Sequence, residues 1–182
     1  VNPKIDMTFA KALRAILRQD PDIVMIGEIR DLETAQIAVQ SSLTGHLVLA
    51  TLHTNDAASA VTRLIDMGIE PFLLSSSLLG VLGQRLVRKL CPHCKEADPA
   101  VGGWRAVGCG HCGHTGYLGR TGIYELLTVN DEIRMLVHQG ANDTDMRRVA
   151  EKNGMINMRA DAQRWIKTGV TSQEETLRVT RE

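Results

Sequence analysis

Aromatic side chains are scarce in this chain of 182 residues: two Phe, two Tyr and two Trp make up 3% of it. Proteins that bind single-stranded nucleic acid by base stacking need such side chains, so the composition argues against that class. Lys and Arg number 21, as do Asp and Glu, and the formal net charge is zero. The chain therefore also lacks the overall positive field that attracts DNA or an anionic membrane.

Long hydrophobic segments are missing as well. The longest apolar stretch, near 72–82, is interrupted by three serines and a glycine, and it falls short of the ~20 apolar residues that a membrane-spanning helix needs. The phosphate-binding pattern G-x-x-x-x-G-K-[ST] does not occur in the 182 residues either. Apolar residues still make up 43% of the chain, which is enough for one large domain or two small ones.

Two short apolar runs each end in polar residues. The run Ile23–Ile26 is followed by Glu28 and Arg30, and the run 47–52 is followed by His53. In parallel α/β sheets, fully buried strands read as such runs, and ligands bind beyond the carboxyl ends of the strands. We therefore expect a carboxylate, a guanidinium and an imidazole at one edge of a parallel sheet, where they suit a phosphorylated ligand.

Helical patterns alternate with these apolar runs, as they do in a parallel α/β fold. Apolar residues at helical spacing predict a helix over 8–19. Asp31 is placed to cap a second helix, and either Asn55 or Asp56 to cap a third. Residues 81–90 are expected to form one more strand.

From residue 91 the character of the chain changes. A cysteine- and glycine-rich segment over 91–122 is followed by four short helical patterns that glycines separate. The pattern from 130 onward is typical of a small helical bundle. Ser172 followed by Glu175 predicts a reciprocal capping box at the start of the last helix.

All four cysteines lie in two C-x-x-C pairs with 14 residues between the pairs: Cys91, Cys94, Cys109 and Cys112. Two such pairs can place four thiolates around one Zn²⁺. The alternatives are two disulfides or a redox-active dithiol. Because no cysteine lies outside the pairs, structural zinc is the favoured interpretation, and the histidines between the thiols are not needed as ligands.

The two strand-end motifs resemble the Walker B and His boxes of the secretion ATPases, the type II secretion (GspE) and type IV pilus assembly (PilB) family. The resemblance extends to the segments 13–20, 119–123 and 169–172, in the family's order. It implies a partial RecA-like P-loop ATPase core over 1–90, a tetracysteine zinc insert over 91–122 and a C-terminal helical subdomain over 123–182, in the α/β class.

The resemblance also implies roles for single residues. Glu28 would polarise the water that attacks ATP, and His53 would contact the γ-phosphate. On its own, Glu28 reads equally well as a solvated carboxylate at a strand end. His46 precedes the second strand and could be a hydrogen-bonded loop histidine; it and Gly27 are candidate nucleotide-binding residues.

Three arginines are candidates for offsetting the charge that develops during hydrolysis. Arg14 and Arg18 share one helix face at i, i+4, and the plain interpretation of that face is solvated surface. The resemblance assigns them, together with Arg30, to ATP hydrolysis. Arginine suits such a role because its fixed charge and planar fork pair with phosphate oxygens.

The resemblance further implies a longer parent protein, whose P-loop precedes residue 1. That parent would be a cytoplasmic homo-hexamer that uses ATP and Mg²⁺, associates peripherally with the inner membrane and binds the cytoplasmic face of a secretion platform. It would power type II secretion across the outer membrane, and this chain alone would be inactive. A pilus assembly ATPase is the alternative within the family.

Two interpretations lie outside the family. One is a zinc-ribbon interaction module without catalysis, and the other is a nucleic-acid-binding zinc protein. The second would rely on a basic cluster beside the cysteines, formed by Arg85, Arg88, Lys89 and Lys95. Such clusters are usually solvated surface, so we expect no nucleic-acid partner.

Overall fold

The structure is a computed structural model and describes residues 8–100 and 102–180. The chain divides into two compact units, and each combines two separate parts of the sequence. Unit 1 runs up to Val81 and adds Thr128–Ala150. Unit 2 consists of Leu82–Leu127 and the residues from Glu151 onward. In the described part of the chain, no helix has both the length and the hydropathy of a membrane-spanning segment.

Unit 1 alternates helices and strands, as the sequence pattern predicts. Its elements are α1 (Phe9–Leu17), β1 (Ile23–Ile26), α2 (Leu32–Leu43), β2 (Leu47–Ala50), α3 (Ala57–Asp66), α4 (Pro71–Ser77), α5 (Asp131–His138) and the greater part of α6 (Asp143–Lys152).

Side-chain caps fix where the helices of unit 1 begin. The side chains of Thr8, Asp31 and Asp56 each accept a hydrogen bond from the backbone N–H three residues on. Such a bond satisfies one of the amides that a helix start leaves unpaired. The predicted caps of α2 and α3 are confirmed, with Asp56 rather than Asn55 in the second case.

The strands β1 and β2 are parallel, in a register that runs from Ile23 opposite Leu47 to Ile26 opposite Ala50. The expectation that they are fully buried is wrong. Ile26 is buried, whereas Ile23 and Met25 are 60% and 75% exposed. Among the described residues this sheet has only two strands, and alternate side chains of β1 therefore face solvent.

Unit 2 is built on a long strand pair. Its elements are β3 (Gly80–Leu90), β4 (Glu96–Asp98), β5 (Gly103–Arg105), β6 (Tyr117–Thr128), α7 (Met158–Lys167) and α8 (Gln173–Val179), with a 3₁₀ turn at Gly110–Cys112. β3 pairs with β6, and β4 pairs antiparallel with β5. The predicted strand over 81–90 is confirmed as β3. The core is a cluster of side chains from β3, β6, α7 and α8: Val87, Ile123, Met158, Ala162, Trp165 and Val179.

The four helices predicted after residue 130 are all present, but they divide between the units. α5 packs against α4 in unit 1, whereas α7 and α8 pack against each other and against β5 in unit 2. β6 crosses the boundary expected at residue 122. The division at 90 and 122 stays a prediction.

The capping box predicted at the start of α8 forms only in part. The Ser172 hydroxyl accepts from the Glu175 N–H at 3.1 Å, as expected. The Glu175 carboxylate, however, accepts from the Arg88 N–H at 3.0 Å and from the guanidinium groups of Arg88 and Arg178, each at 2.7 Å. Two charged donors and an amide bind a carboxylate more strongly than one neutral amide does, so Glu175 ties α8 to β3.

Candidate functional site

The carboxyl ends of β1 and β2 bring three of the predicted side chains together. Arg30 contacts Oε2 of Glu28 through Nε and Nη2, both at 2.5 Å. His53 Nε2 lies 3.0 Å from the other carboxylate oxygen of Glu28, Oε1. We call this group the strand-edge cluster. The parallel register of the strands explains it, because the segments that follow β1 and β2 emerge at the same edge.

The strand-edge cluster is polar and open to solvent. The side chains of Arg30 and His53 are 77% and 89% exposed, and that of Glu28 is 20% exposed. The hydrogen bond from Arg30 lowers the pKa of Glu28 against the opposing effect of burial. Glu28 is therefore a carboxylate at neutral pH, and a carboxylate can accept a hydrogen bond from a water molecule.

Thr51 links the two segments that carry the strand-edge cluster. Its hydroxyl donates a short hydrogen bond to the Gly27 carbonyl oxygen, and its own carbonyl oxygen accepts from the Ile29 N–H at 3.0 Å. Thr51 thus contacts the residues on both sides of Glu28. We did not predict this role from sequence; the available signal is a hydroxyl residue at the end of β2, two positions before His53.

A second attachment holds the far end of the His53 segment. Asp56 caps α3 through Oδ1, which accepts from the Ser59 N–H at 2.8 Å. Its other oxygen, Oδ2, accepts from Arg147 of α6 at 2.5 Å. The residues between β2 and α3 are therefore fastened to the β1 side at Thr51 and to α6 at Asp56.

The remaining candidate arginines do not join the strand-edge cluster. Arg14 Nη1 donates to Glu33 Oε1 of α2 at 2.9 Å, and both side chains are about half exposed. Arg18 is exposed at the C-terminal end of α1. In the part of the chain that the structure describes, neither contacts Glu28, so the structure does not place them in the strand-edge cluster.

His46 lies at the opposite end of β2 from the strand-edge cluster. Its Nδ1 is 3.1 Å from the Ser41 carbonyl oxygen and 3.2 Å from the Thr44 hydroxyl, in the turn between α2 and β2. These contacts favour the loop-histidine interpretation. Gly27 directly precedes Glu28, and a Cβ atom there would meet nothing within 4 Å.

The four cysteine sulfurs converge in unit 2. All lie within 4.8 Å of one another. Three of the distances are 3.9 Å for Cys91 to Cys109, 3.8 Å for Cys94 to Cys112 and 3.9 Å for Cys109 to Cys112. Four sulfurs arranged tetrahedrally at 2.3 Å from a zinc ion would be about 3.8 Å apart. The cysteines are free thiols, and the donor set fits zinc.

Backbone amides surround these sulfurs. Cys112 Sγ accepts from the Cys109 and Gly116 N–H groups, both at 3.2 Å, and Cys94 Sγ accepts from the Gly108 N–H at 3.3 Å. Burial raises the pKa of Cys112, but the amides outweigh it and lower the pKa to about 6. Burial raises the pKa of Cys94 to about 12 against its single amide. The N–H groups that point at Cys112 therefore favour its thiolate form, which is the form that binds a metal ion.

The basic cluster beside the cysteines is partly structural. Arg88 binds Glu175 and lies over the Tyr117 ring, 4.0 Å from its centroid. Lys95 Nζ donates to the Gly169 carbonyl oxygen at 2.7 Å and lies 4.7 Å from the centroid of a tryptophan ring. At least two of the four cations in the basic cluster thus stabilise unit 2.

A family model described as "Type II/IV secretion system protein" matches residues 1–178. The chain belongs to this family. It is 71% identical over 182 residues to "Type II secretion system protein HxcR" from Pseudomonas aeruginosa, covering 100% of this chain and 38% of that protein. It is 51% identical over 194 residues to "Type IV pilus assembly ATPase PilB" from Thermus thermophilus, covering 97% of this chain and 22% of that one.

A solved structure supports the same fold. The pilus retraction motor PilT with bound ADP superposes with a TM-score of 0.71 at 31% identity, over 96% of this chain and 44% of that one. The chain therefore has the fold of the corresponding part of this motor protein, an ATPase core. The chain spans less than two fifths of the length of the two curated relatives named above.

Proposed function

We propose that this chain is part of a longer cytoplasmic ATPase that powers type II protein secretion across the outer membrane. The observation that carries the proposal is the strand-edge cluster: an ionised Glu28 held between Arg30 and His53. The family membership supports ATP as the ligand. The higher identity to the secretion relative than to the pilus relative favours secretion over pilus assembly.

The proposed reaction is in-line attack of water on the γ-phosphorus of ATP. Glu28 orients and polarises the water, and His53 contacts the γ-phosphate. Arg30, Arg14 and Arg18 offset the charge that develops on the phosphate, either in their own subunit or across a subunit interface. Hydrolysis of this kind depends on positioning and electrostatics rather than on covalent chemistry.

Magnesium would arrive with the nucleotide and neutralise charge on its phosphates. Both oxygens of Glu28 already contact the side chains of Arg30 and His53, so we assign no magnesium ligand at this edge. Gly27 leaves open space beside the cluster, which suits a nucleotide. His46 is the weaker nucleotide-binding candidate because it lies at the other end of β2.

A structural zinc ion would be held by the thiolates of Cys91, Cys94, Cys109 and Cys112. It would join the two C-x-x-C turns, and the N–H groups that point at the sulfurs would offset their charge. We propose that the full-length protein acts as a homo-hexamer on the cytoplasmic face of an inner-membrane platform. Nucleotide state would then be coupled to rigid-body shifts of its domains.

The decisive experiment is single-turnover hydrolysis by the full-length protein. Glu28→Gln keeps the size of the side chain but removes its charge, so chemistry should slow by about 10² or more while ATP affinity stays within a few-fold. Glu96→Gln is the control, since Glu96 is an exposed carboxylate that likewise pairs with an arginine, at 2.7 Å in unit 2. Hydrolysis by Glu28→Gln at the parental rate would refute the catalytic assignment.

Two further measurements separate this proposal from the alternatives. Failure of the full-length protein to bind Mg-ATP would favour a zinc-ribbon interaction module. Nucleic-acid binding that weakens steeply with salt would favour a nucleic-acid-binding zinc protein. We expect the 182-residue chain alone to release no phosphate above buffer controls, since it contains no phosphate-binding loop.

The zinc assignment has its own test. Protein purified without chelator should contain one zinc per chain. Cys91→Ser should unfold chiefly the segment around the cysteines, because metal binding supplies folding free energy in such small sites. A metal content near zero, with the thiols found as disulfides in fresh protein, would contradict the assignment.

A further inference from the structure

We propose that Thr51 is a positioning residue that holds the Glu28 carboxylate in its working orientation. The inference rests on the proposed function of the strand-edge cluster. Thr51 touches neither carboxylate oxygen; it acts on the backbone at both neighbours of Glu28. Its hydroxyl donates to the Gly27 carbonyl oxygen, and its carbonyl oxygen accepts from the Ile29 N–H at 3.0 Å.

Among the described residues, the backbone of the segment that carries Glu28 has few other restraints, although the carboxylate itself contacts Arg30 and His53. Gly27 lies beyond the end of β1, has no side chain, and is exposed with nothing near the position of a Cβ atom. Ile29 is buried and anchors the downstream side. The upstream peptide of Glu28 is therefore held chiefly by the Thr51 hydroxyl. Without that hydrogen bond, the Gly27 peptide can rotate and carry Glu28 with it.

Thr51 also restrains the position of the segment that carries His53. A single residue, Leu52, separates Thr51 from His53, whose ring lies 3.0 Å from Glu28 Oε1. The Asp56–Arg147 pair fixes the downstream end of the same segment. Thr51 thereby restrains both backbone segments, the one that carries Glu28 and the one that carries His53. Small displacements of such groups lower the rate of catalysis without abolishing binding.

The test compares hydroxyl and methyl at this position in the full-length protein. Thr51→Val removes the donor and keeps the shape, and Thr51→Ser keeps the donor. We expect kcat for ATP to fall about 10-fold in Thr51→Val, the effect of one lost hydrogen bond with good geometry, and KM to stay within two-fold. Thr51→Ser should restore at least half of the parental kcat.

A purely structural effect is separated by two controls. Thr168→Val removes an exposed hydroxyl that donates to the Arg164 carbonyl oxygen at 2.8 Å in unit 2, and it should leave kcat unchanged. The double variant Glu28→Gln/Thr51→Val should be no more than two-fold slower than Glu28→Gln alone, because Thr51 acts through Glu28.

Each outcome decides one of the two proposals. Parental kcat in Thr51→Val, equal losses with and without Glu28, or failure of Thr51→Ser to restore the rate would overturn the role of Thr51. Parental activity of Glu28→Gln would overturn the proposed function itself. A 10-fold loss that disappears in the Glu28→Gln background would support both.

Discussion

Glu28 and Glu175 are both carboxylates held between two basic side chains, but their surroundings differ. The Glu175 side chain is completely buried, under arginines that are 43% and 57% exposed. The Glu28 side chain is 20% exposed, and its partners Arg30 and His53 extend almost fully into solvent. The backbone N–H of Arg88 also binds Glu175, whereas no backbone amide is recorded for Glu28 among the described residues.

Burial distinguishes a structural carboxylate from one that is available for chemistry. Burial raises the pKa of Glu175, but the hydrogen bonds from Arg178 and Arg88 outweigh it and lower the pKa to about 2. Charges interact strongly away from water and weakly in it. Glu175 is therefore fixed in place. Arg30 and His53, by contrast, can leave Glu28 to bind water or phosphate at little cost in free energy.

The largest expected effect is on the free energy of unfolding of unit 2. Glu175→Gln leaves two arginines without their buried counter-charge and should lower that free energy by about 3 kcal/mol. Both tryptophans, Trp104 and Trp165, lie in unit 2, so urea unfolding followed by tryptophan fluorescence reports on it. Glu28→Gln is the control in unit 1 and should leave this transition unchanged. Equal destabilisation by the two substitutions would refute the comparison.

Acid should reproduce part of this effect. The folded pKa of Glu175, about 2, lies below its ordinary value of 4.5, so its contribution is complete above pH 4.5 and is lost as the pH falls through about 2. By linkage about 2 kcal/mol should be gone at pH 3. Urea midpoints at pH 7 and pH 3 measure it. Because other carboxylates also titrate, the loss of unfolding free energy between pH 7 and pH 3 is compared in the parent and in Glu175→Gln. We expect the loss to be smaller in Glu175→Gln. The same acid sensitivity in both proteins would contradict the low pKa.

The smallest effect is expected at an ion pair with both partners in solvent. Arg14 and Glu33 are about half exposed, and such pairs contribute between zero and about 1 kcal/mol. Arg14→Gln should therefore lower the free energy of unfolding of unit 1 by about 0.5 kcal/mol or less, as measured by far-UV circular dichroism in urea. The difference should vanish in high salt. A loss of unfolding free energy as large as that of Glu175→Gln would show that the contribution of these ion pairs does not follow their exposure to solvent.

Local patterns predicted the elements of unit 1, except the helix α4, and the meeting of Glu28 with His53. Apolar runs with caps at Asp31 and Asp56 determine the helices and strands directly, and parallel strands necessarily end at one edge. Burial was harder to predict. The strand β1 reads as fully buried, but Met25 is exposed because side-chain burial depends on what packs on each face of the sheet.

Contacts between residues far apart in the sequence could not be predicted from local patterns. The link from Arg88 to Glu175 spans 87 positions, and Ser172 followed by Glu175 instead indicates a local capping box. The attachment of Asp56 to Arg147 spans 91 positions. A long charged side chain has several possible partners, and only the packing of the elements decides which donor reaches it first.

Local sequence patterns specify which chemical groups this protein has and roughly where they lie: two strand ends with a carboxylate, a guanidinium and an imidazole, and two cysteine pairs. These features follow from local spacing, which the backbone converts into position with little freedom. Tertiary packing, by contrast, buries Glu175, pairs Arg14 with Glu33 and brings Thr51 to both neighbours of Glu28. Those contacts depend on which segments pack together, and that packing is a property of the whole fold.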